Sequence, residues 1–172
     1  SETSAKDASK NTAKQEDTLR MPELSEEAPS DIDGTVIKRD ENSTTYQTGK
    51  NSYVTRISSE PLLYTDEKGR EKEIDNTLKK SWGSYVNKEN AYEIKLPKNG
   101  KEVTIDQEDY RIRLKPLFAS LKDGAVQDNA IRYNDAAEGI DLQYTAFSSY
   151  IKEDIILMQP VELSSFDYEL TA

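Results

Sequence analysis

The sequence contains no histidine and no cysteine. Its chemistry must therefore come from carboxylates, lysines, ten tyrosines and a single tryptophan. Thiolate nucleophiles, disulfides and thiolate zinc sites are excluded, as are Ser-His-Asp and Cys-His mechanisms. The side chain that usually serves as a general base near neutral pH is also missing. Two pairs of adjacent acids, Glu108 with Asp109 and Glu153 with Asp154, are the candidates for a carboxylate-dependent hydrolase. Such a site needs two carboxyl groups facing each other across roughly 5–9 Å. Neighbours on a strand point to opposite faces, so both pairs read first as solvated strand positions.

Three further groups carry possible chemistry. Asp31, Asp33 and Gly34 resemble the start of an oxygen-ligand loop for calcium, without the later ligands of an EF-hand. A calcium site built otherwise would draw on Asp66, Asp123 or Asp128 from loops; no other cofactor is expected. In "SWGSYVN", Trp82 and Tyr85 flank Gly83, and exposed aromatic rings there would stack on sugars. The plainer expectation has Trp82 covering the edge of a sheet. Finally, the strand "YIKEDIIL" alternates so that Glu153 falls among apolar residues, where Arg113 or Arg132 would have to pair with it. Lys152 on the same strand is the amine to consider for an intramolecular isopeptide bond.

The densest charge lies in "SSEPLLYTDEKGREKEIDNTL", residues 58–78. It reads as a hairpin: "PLLYT" as one strand, "DEKG" as the turn, "REKEID" as the return. Pro61 suits a strand start, and Arg70 with Glu71 can form a weak surface pair. Asp75, Asn76 and Thr77 can hold a bend through side-chain-to-backbone bonds.

The elements around these residues are short and alternating. "TVIKR", "SYVTRIS", "YEIKL", "EVTID", "YRIRLK", "AIRYN", "IDLQYTAF", "YIKEDIIL" and "FDYEL" read as further strands. In "YEIKL", Tyr92, Ile94 and Leu96 share one face; in "YRIRL", Tyr110, Ile112 and Leu114 do. Charged residues occupy the other face, the signature of strands buried on one side. Asn99-Gly100 gives the strongest hairpin signal, and Gly69 and Gly124 fall where a left-handed residue is wanted. Residues 1–33 are polar and poor in large apolar side chains, so they read as a tail or linker that is disordered or partly helical, with a short helix conceivable over 14–21. The expected architecture is all-β: an antiparallel β-sandwich over residues 34–172.

Lys plus Arg number 23 against 33 Asp plus Glu, a net charge of -10. That balance predicts no nucleic-acid partner and no attraction to anionic membranes. No apolar run is long enough to span a bilayer, so no membrane insertion is expected. The opening "SETSAKDASKNTAK" lacks a signal-peptide pattern, as expected of a mature secreted chain or a piece of a longer one.

The stretches "KRDENSTTYQTGKNSYVTRISSEPLLYTDEKGREKEIDNTL", "YVNKENAYEIKLPK" and "YNDAAEGIDLQYTAFSSYIKEDIIL" resemble the N-terminal region of Gram-positive secreted RHS (YD-repeat) and wall-associated proteins. The resemblance runs from Arg39 to the end. It departs at Glu71, where the family pattern commonly has Trp. It implies a secreted or cell-surface protein much larger than this chain, and it carries over no catalytic residues. The expected function is accordingly a non-catalytic scaffold or presentation module. Its expected partners are the downstream repeat region of the same parent protein or a cell-wall or glycan surface. A carbohydrate- or wall-binding module using Trp82 and Tyr85 is the alternative, with a carboxylate hydrolase behind it.

Overall fold

A computed structural model describes residues 32–172 and shows an all-β chain of antiparallel sheets, with no helix among the described residues. The tail expected over 1–33, with its helix at 14–21 and with Asp31, lies almost wholly outside the described residues. Strands β1 (Thr35–Asp40), β2 (Ser43–Gly49) and β3 (Ser52–Ile57) form a meander. β4 (Leu63–Thr65) and β5 (Glu71–Glu73) form the ribbon expected around 61–75.

Two larger sheets follow. One contains β6 (Asp75–Ser81), β7 (Ser84–Glu89), β8 (Glu93–Pro97), β9 (Val103–Gln107), β10 (Tyr110–Pro116) and the last strand, β15 (Tyr168–Thr171), in the order 15-10-9-8-7-6. The other holds β11 (Ala125–Gln127), β12 (Ala130–Ala137), β13 (Ile140–Ala146) and β14 (Ile151–Leu157), in chain order. Alternation decides which side chains meet between them. Ile94 and Leu96 of β8 are buried while Glu93 and Lys95 face out. They join Leu78 and Val103 against Ile131, Tyr133, Leu142, Tyr144 and Ala146 of the smaller sheet in one apolar cluster. Tyr133 and Tyr144 meet edge to face at 6.2 Å. β10 departs from the pattern: Leu114 packs on the core, Ile112 is only partly covered, and Tyr110 is 75% exposed. The alternation continues beyond the reach of the facing sheet, so Tyr110 is not the inward residue its spacing suggested.

A polar lock ties the two sheets at one end. Asn76 Oδ1 accepts from Asn90 Nδ2 at 2.9 Å, and Asn90 Nδ2 also reaches the Ser148 carbonyl at 3.1 Å. Asn87 accepts from the Ile94 N–H and donates to the Tyr92 carbonyl, both at 2.9 Å. The Tyr92 hydroxyl donates to the Phe147 carbonyl at 2.5 Å, and Glu60 accepts from the Ser148 N–H at 2.7 Å. Much of "IDNTL", "NKENAY" and "FSS" thus serves to satisfy buried backbone and amide groups.

The turns correct two expectations. Asn99-Gly100 is not a tight hairpin: β8 and β9 are joined by residues 98–102, and Gly100 is drawn into a bridge with Leu121. In "KDG", Asp123 takes the left-handed conformation, with φ of 50°. Gly124 is needed for space instead, since a Cβ there would lie 2.5 Å from Ile131 Cδ1.

Candidate functional site

One two-residue hairpin is disguised in the sequence. β6 and β7 are joined by Trp82 and Gly83 alone, with Ser81 paired to Ser84. Both central residues are left-handed, Trp82 at φ 43° and Gly83 at φ 80°. This is the type I′ pattern, which matches strand twist and favours Asn or Gly at its first central position. A bulky residue there costs about 1–2 kcal/mol. Trp82 is also 100% exposed, so its ring gains no burial in return. It does not cover a sheet edge as the plainer expectation had it. Tyr85, across from Leu96, packs against the core. Trp82 and Tyr85 are therefore not a pair of exposed rings.

Two loops lie beside this tip. The Lys98 N–H donates to the Gly83 carbonyl at 3.0 Å, and the Gly124 N–H donates to the Lys98 carbonyl at 3.1 Å. Asn99 Oδ1 accepts from the Asp123 N–H at 2.9 Å, completing a three-loop end to the sandwich.

The charged hairpin forms the second cluster. Arg70 grips Asp66 with Nη2 at 2.6 Å and Nε at 2.9 Å, and the N–H groups of Lys68 and Arg70 add two backbone bonds. The side-chain bond from Arg70, followed by its backbone N–H, brings the Asp66 carboxyl down to about 2. Lys72 approaches Glu89 on β7 at 3.1 Å, and the Tyr64 hydroxyl donates to the same carboxylate. These two donors, Tyr64 first, hold Glu89 below its ordinary value. A cleft of about 390 Å³ opens beside this cluster, lined in part by Tyr64, Asp66, Glu67 and Glu108. A carboxyl that hands over a proton near neutral pH must have a raised pKa. Asp66 and Glu89 are pushed the other way.

The remaining candidates stand apart. Glu108 and Asp109 form the exposed turn between β9 and β10, Glu108 at φ 48°. Glu153 and Asp154 face opposite sides of β14. Glu153 points inward, where it accepts from the Tyr168 hydroxyl, and Asp154 meets Lys152 outside at 2.9 Å. The expected arginine partners of Glu153 are engaged elsewhere, Arg113 with Glu102 at 3.7 Å and Arg132 with Asp141 at 2.7 Å. Lys152 is on the solvent face of its sheet, with a carboxylate of its own strand as partner, so an isopeptide bond within the core is out of its reach. Asp33 is exposed and next to Gly34; Asp66, Asp123 and Asp128 sit on separate turns. No group of three acids able to hold a metal occurs among the described residues. Sequence reasoning missed the Asn76–Asn87–Asn90 lock and the strands β6 and β7, whose polar composition conceals them.

No protein-family description matches the chain, and no solved structure does. Two curated relatives from Bacillus subtilis do. The chain is 28% identical, over 178 aligned positions covering 90% of it, to "tRNA nuclease WapA" of strain 168 and equally to "tRNA(Glu)-specific nuclease WapA" of subspecies natto strain BEST195. This corrects the expectation of a non-catalytic scaffold and the expectation that nucleic acid is no partner, because both relatives are nucleases acting on tRNA. The net charge could not decide this, because a total over 172 residues does not fix the local field at any one place. The chain is thus similar to tRNA nucleases along most of its own length, while spanning 8% of theirs.

Proposed function

We propose that this chain is a β-sheet segment of a much larger secreted or cell-surface protein, of the RHS-repeat and wall-associated kind, whose activity as a whole is the cleavage of tRNA. The observation that carries this reading is the 28% identity to two tRNA nucleases across 90% of the chain. The stretches that resemble the wall-associated family support the cellular location. No helix among the described residues is long and apolar enough to cross a membrane. The experiment is incubation of the full-length parent protein with total tRNA, followed by separation of the products on a denaturing gel. Discrete fragments from one or a few tRNA species are expected. Intact tRNA at an excess of protein would overturn the reading.

A further inference from the structure

The hairpin tip at Trp82 carries an exposed indole that the fold does not use, at a backbone position that disfavours it. Around it the charge runs against the chain as a whole. Segments 80–84, 98–102 and 120–124 hold Lys80, Lys98, Lys101 and Lys122 against only Glu102 and Asp123, in a chain of net charge -10. Glu102 is turned toward Arg113 at 3.7 Å. The four lysines are exposed and form no ion pair among the described residues. Backbone bonds from Lys98 to Gly83 and from Gly124 to Lys98 hold the three segments together.

We propose that this tip docks a single-stranded segment of RNA, with Trp82 stacking on an unpaired base and Lys80, Lys98, Lys101 and Lys122 meeting the flanking phosphates. The inference rests on the nuclease reading of the parent protein. A flat ring with both faces in water suits an unstacked base, and lysines on neighbouring loops suit the backbone that carries it. A duplex hides the faces of its bases, so it offers nothing to the indole. An anionic polymer without bases would engage the lysines and leave the ring idle. An anionic bilayer would call for more apolar surface than one side chain.

The test exploits the fact that Trp82 is the sole tryptophan. The chain is titrated with an unstructured RNA of about 10 nucleotides, within the roughly 4–16 nucleotide span of comparable stacking sites. Tryptophan emission should be quenched on binding, and affinity should fall as salt rises. Binding is also followed by the anisotropy of labelled RNA, so that variants lacking the ring can be compared. Trp82→Asn should weaken binding about tenfold to a hundredfold, the range expected for loss of one stacked base. Asn is suited to the left-handed position, so this variant keeps the fold, as circular dichroism will verify. Lys98→Glu with Lys101→Glu should weaken binding further and flatten the salt dependence by roughly one unit of slope per lysine.

The proposal is overturned by the absence of quenching, by undiminished binding in Trp82→Asn, or by equal binding of duplex RNA, polyphosphate or anionic vesicles. Failure here separates cleanly from failure of the nuclease reading. Quenching without tRNA cleavage by the parent leaves the docking site and removes the nuclease. Cleavage without quenching does the reverse.

Discussion

The meander of β1 to β3 and the sheet of β12 to β14 are both antiparallel, and both are fully laddered along most of their length. They differ in what lies against them. β12 and β13 bury Ile131, Tyr133, Leu142, Tyr144 and Ala146 almost completely. The meander contains no buried residue; Val54 is 42% exposed and Ile57 is 79% exposed. It is attached to the ribbon by the backbone bond from the Leu62 N–H to the Glu41 carbonyl and by the Arg39–Glu73 ion pair. Hydrogen-bond ladders exchange water for a strand partner and contribute little net, whereas removing apolar surface from water is the main driving force. The two regions show that strand pairing gives shape, and that a facing layer is needed to make it stable.

The sharpest way to break that comparison is a truncation in each region. Leu142→Ala, in the sandwich, should cost about 2–5 kcal/mol in urea unfolding. Val54→Ala in the meander should cost less than about 1 kcal/mol, because little area is lost from contact. Equal costs would mean that something covers the meander in solution. Hydrogen exchange should agree, with β1–β3 amides exchanging through local opening and β12–β13 amides only through global unfolding.

The polar lock has no counterpart in the meander, where the cross-strand side-chain bonds are the exposed Thr45–Thr55 contact at 3.0 Å and the Ser43–Asp40 contact at 3.3 Å. Asn76→Ala removes the acceptor that Asn87 and Asn90 share. A loss of about 1 kcal/mol is expected, the net worth of a part-buried hydrogen bond, since Asn87 and Asn90 keep their bonds to the Tyr92 and Ser148 carbonyls. Thr45→Val should cost no more than a few tenths of a kcal/mol. The two variants are compared by their urea midpoints at constant slope.

Acid tests the ribbon through Asp66. The fold lowers the Asp66 carboxyl from 3.8 to about 2, chiefly through Arg70. A lowered folded value means that the ionised form is favoured by the native hairpin. Its contribution is fully present above the ordinary carboxylate range and is lost as pH falls from about 4 toward 2. The ribbon turn should therefore loosen over that range, while Asp106 and Asp141, held low by Arg111 and Arg132, give the sandwich an acid response of its own. Amide chemical shifts at stepwise lower pH will follow this, and Asp66→Asn should remove the step.

Much of this was legible in the sequence, for reasons that differ by region. "YEIKL" and "AIRYN" alternate cleanly because one face of each meets a core, so their burial followed from spacing. The ribbon at 63–73 was readable because Gly69, at φ 73°, closes its turn. β2, β6 and β7 were hidden: "STTYQTG", "DNTLKKS" and "SYVNKE" carry too few apolar residues to show a period. The lock was illegible because Asn76, Asn87 and Asn90 converge only after the chain has folded. Glu153 was correctly placed inward, but its tyrosine partner comes from the last strand, 15 residues away. Charge composition said least, since a net total does not show where the lysines gather.

Trp82 is a small effect on stability and the most informative. Elsewhere the left-handed positions Asp123, Asp128 and Asp135 hold a residue type that tolerates that conformation, and Glu108 in the β9–β10 turn is the other exception. At the β6–β7 hairpin the chain holds the bulkiest residue instead, beside a glycine that meets the usual rule. If Trp82 served the fold, its replacement would destabilise. Because the ring is wholly exposed and its backbone strained, Trp82→Asn should stabilise the protein by about 0.5–1 kcal/mol, through the better turn. A shift of the thermal midpoint upward by one to a few degrees is the expected reading for a domain of this size. A fall instead would mean that the indole packs on something in solution, and the case for a ligand at this tip would weaken with it. A rise, together with lost RNA binding, would mark a residue kept at the expense of stability for what it touches.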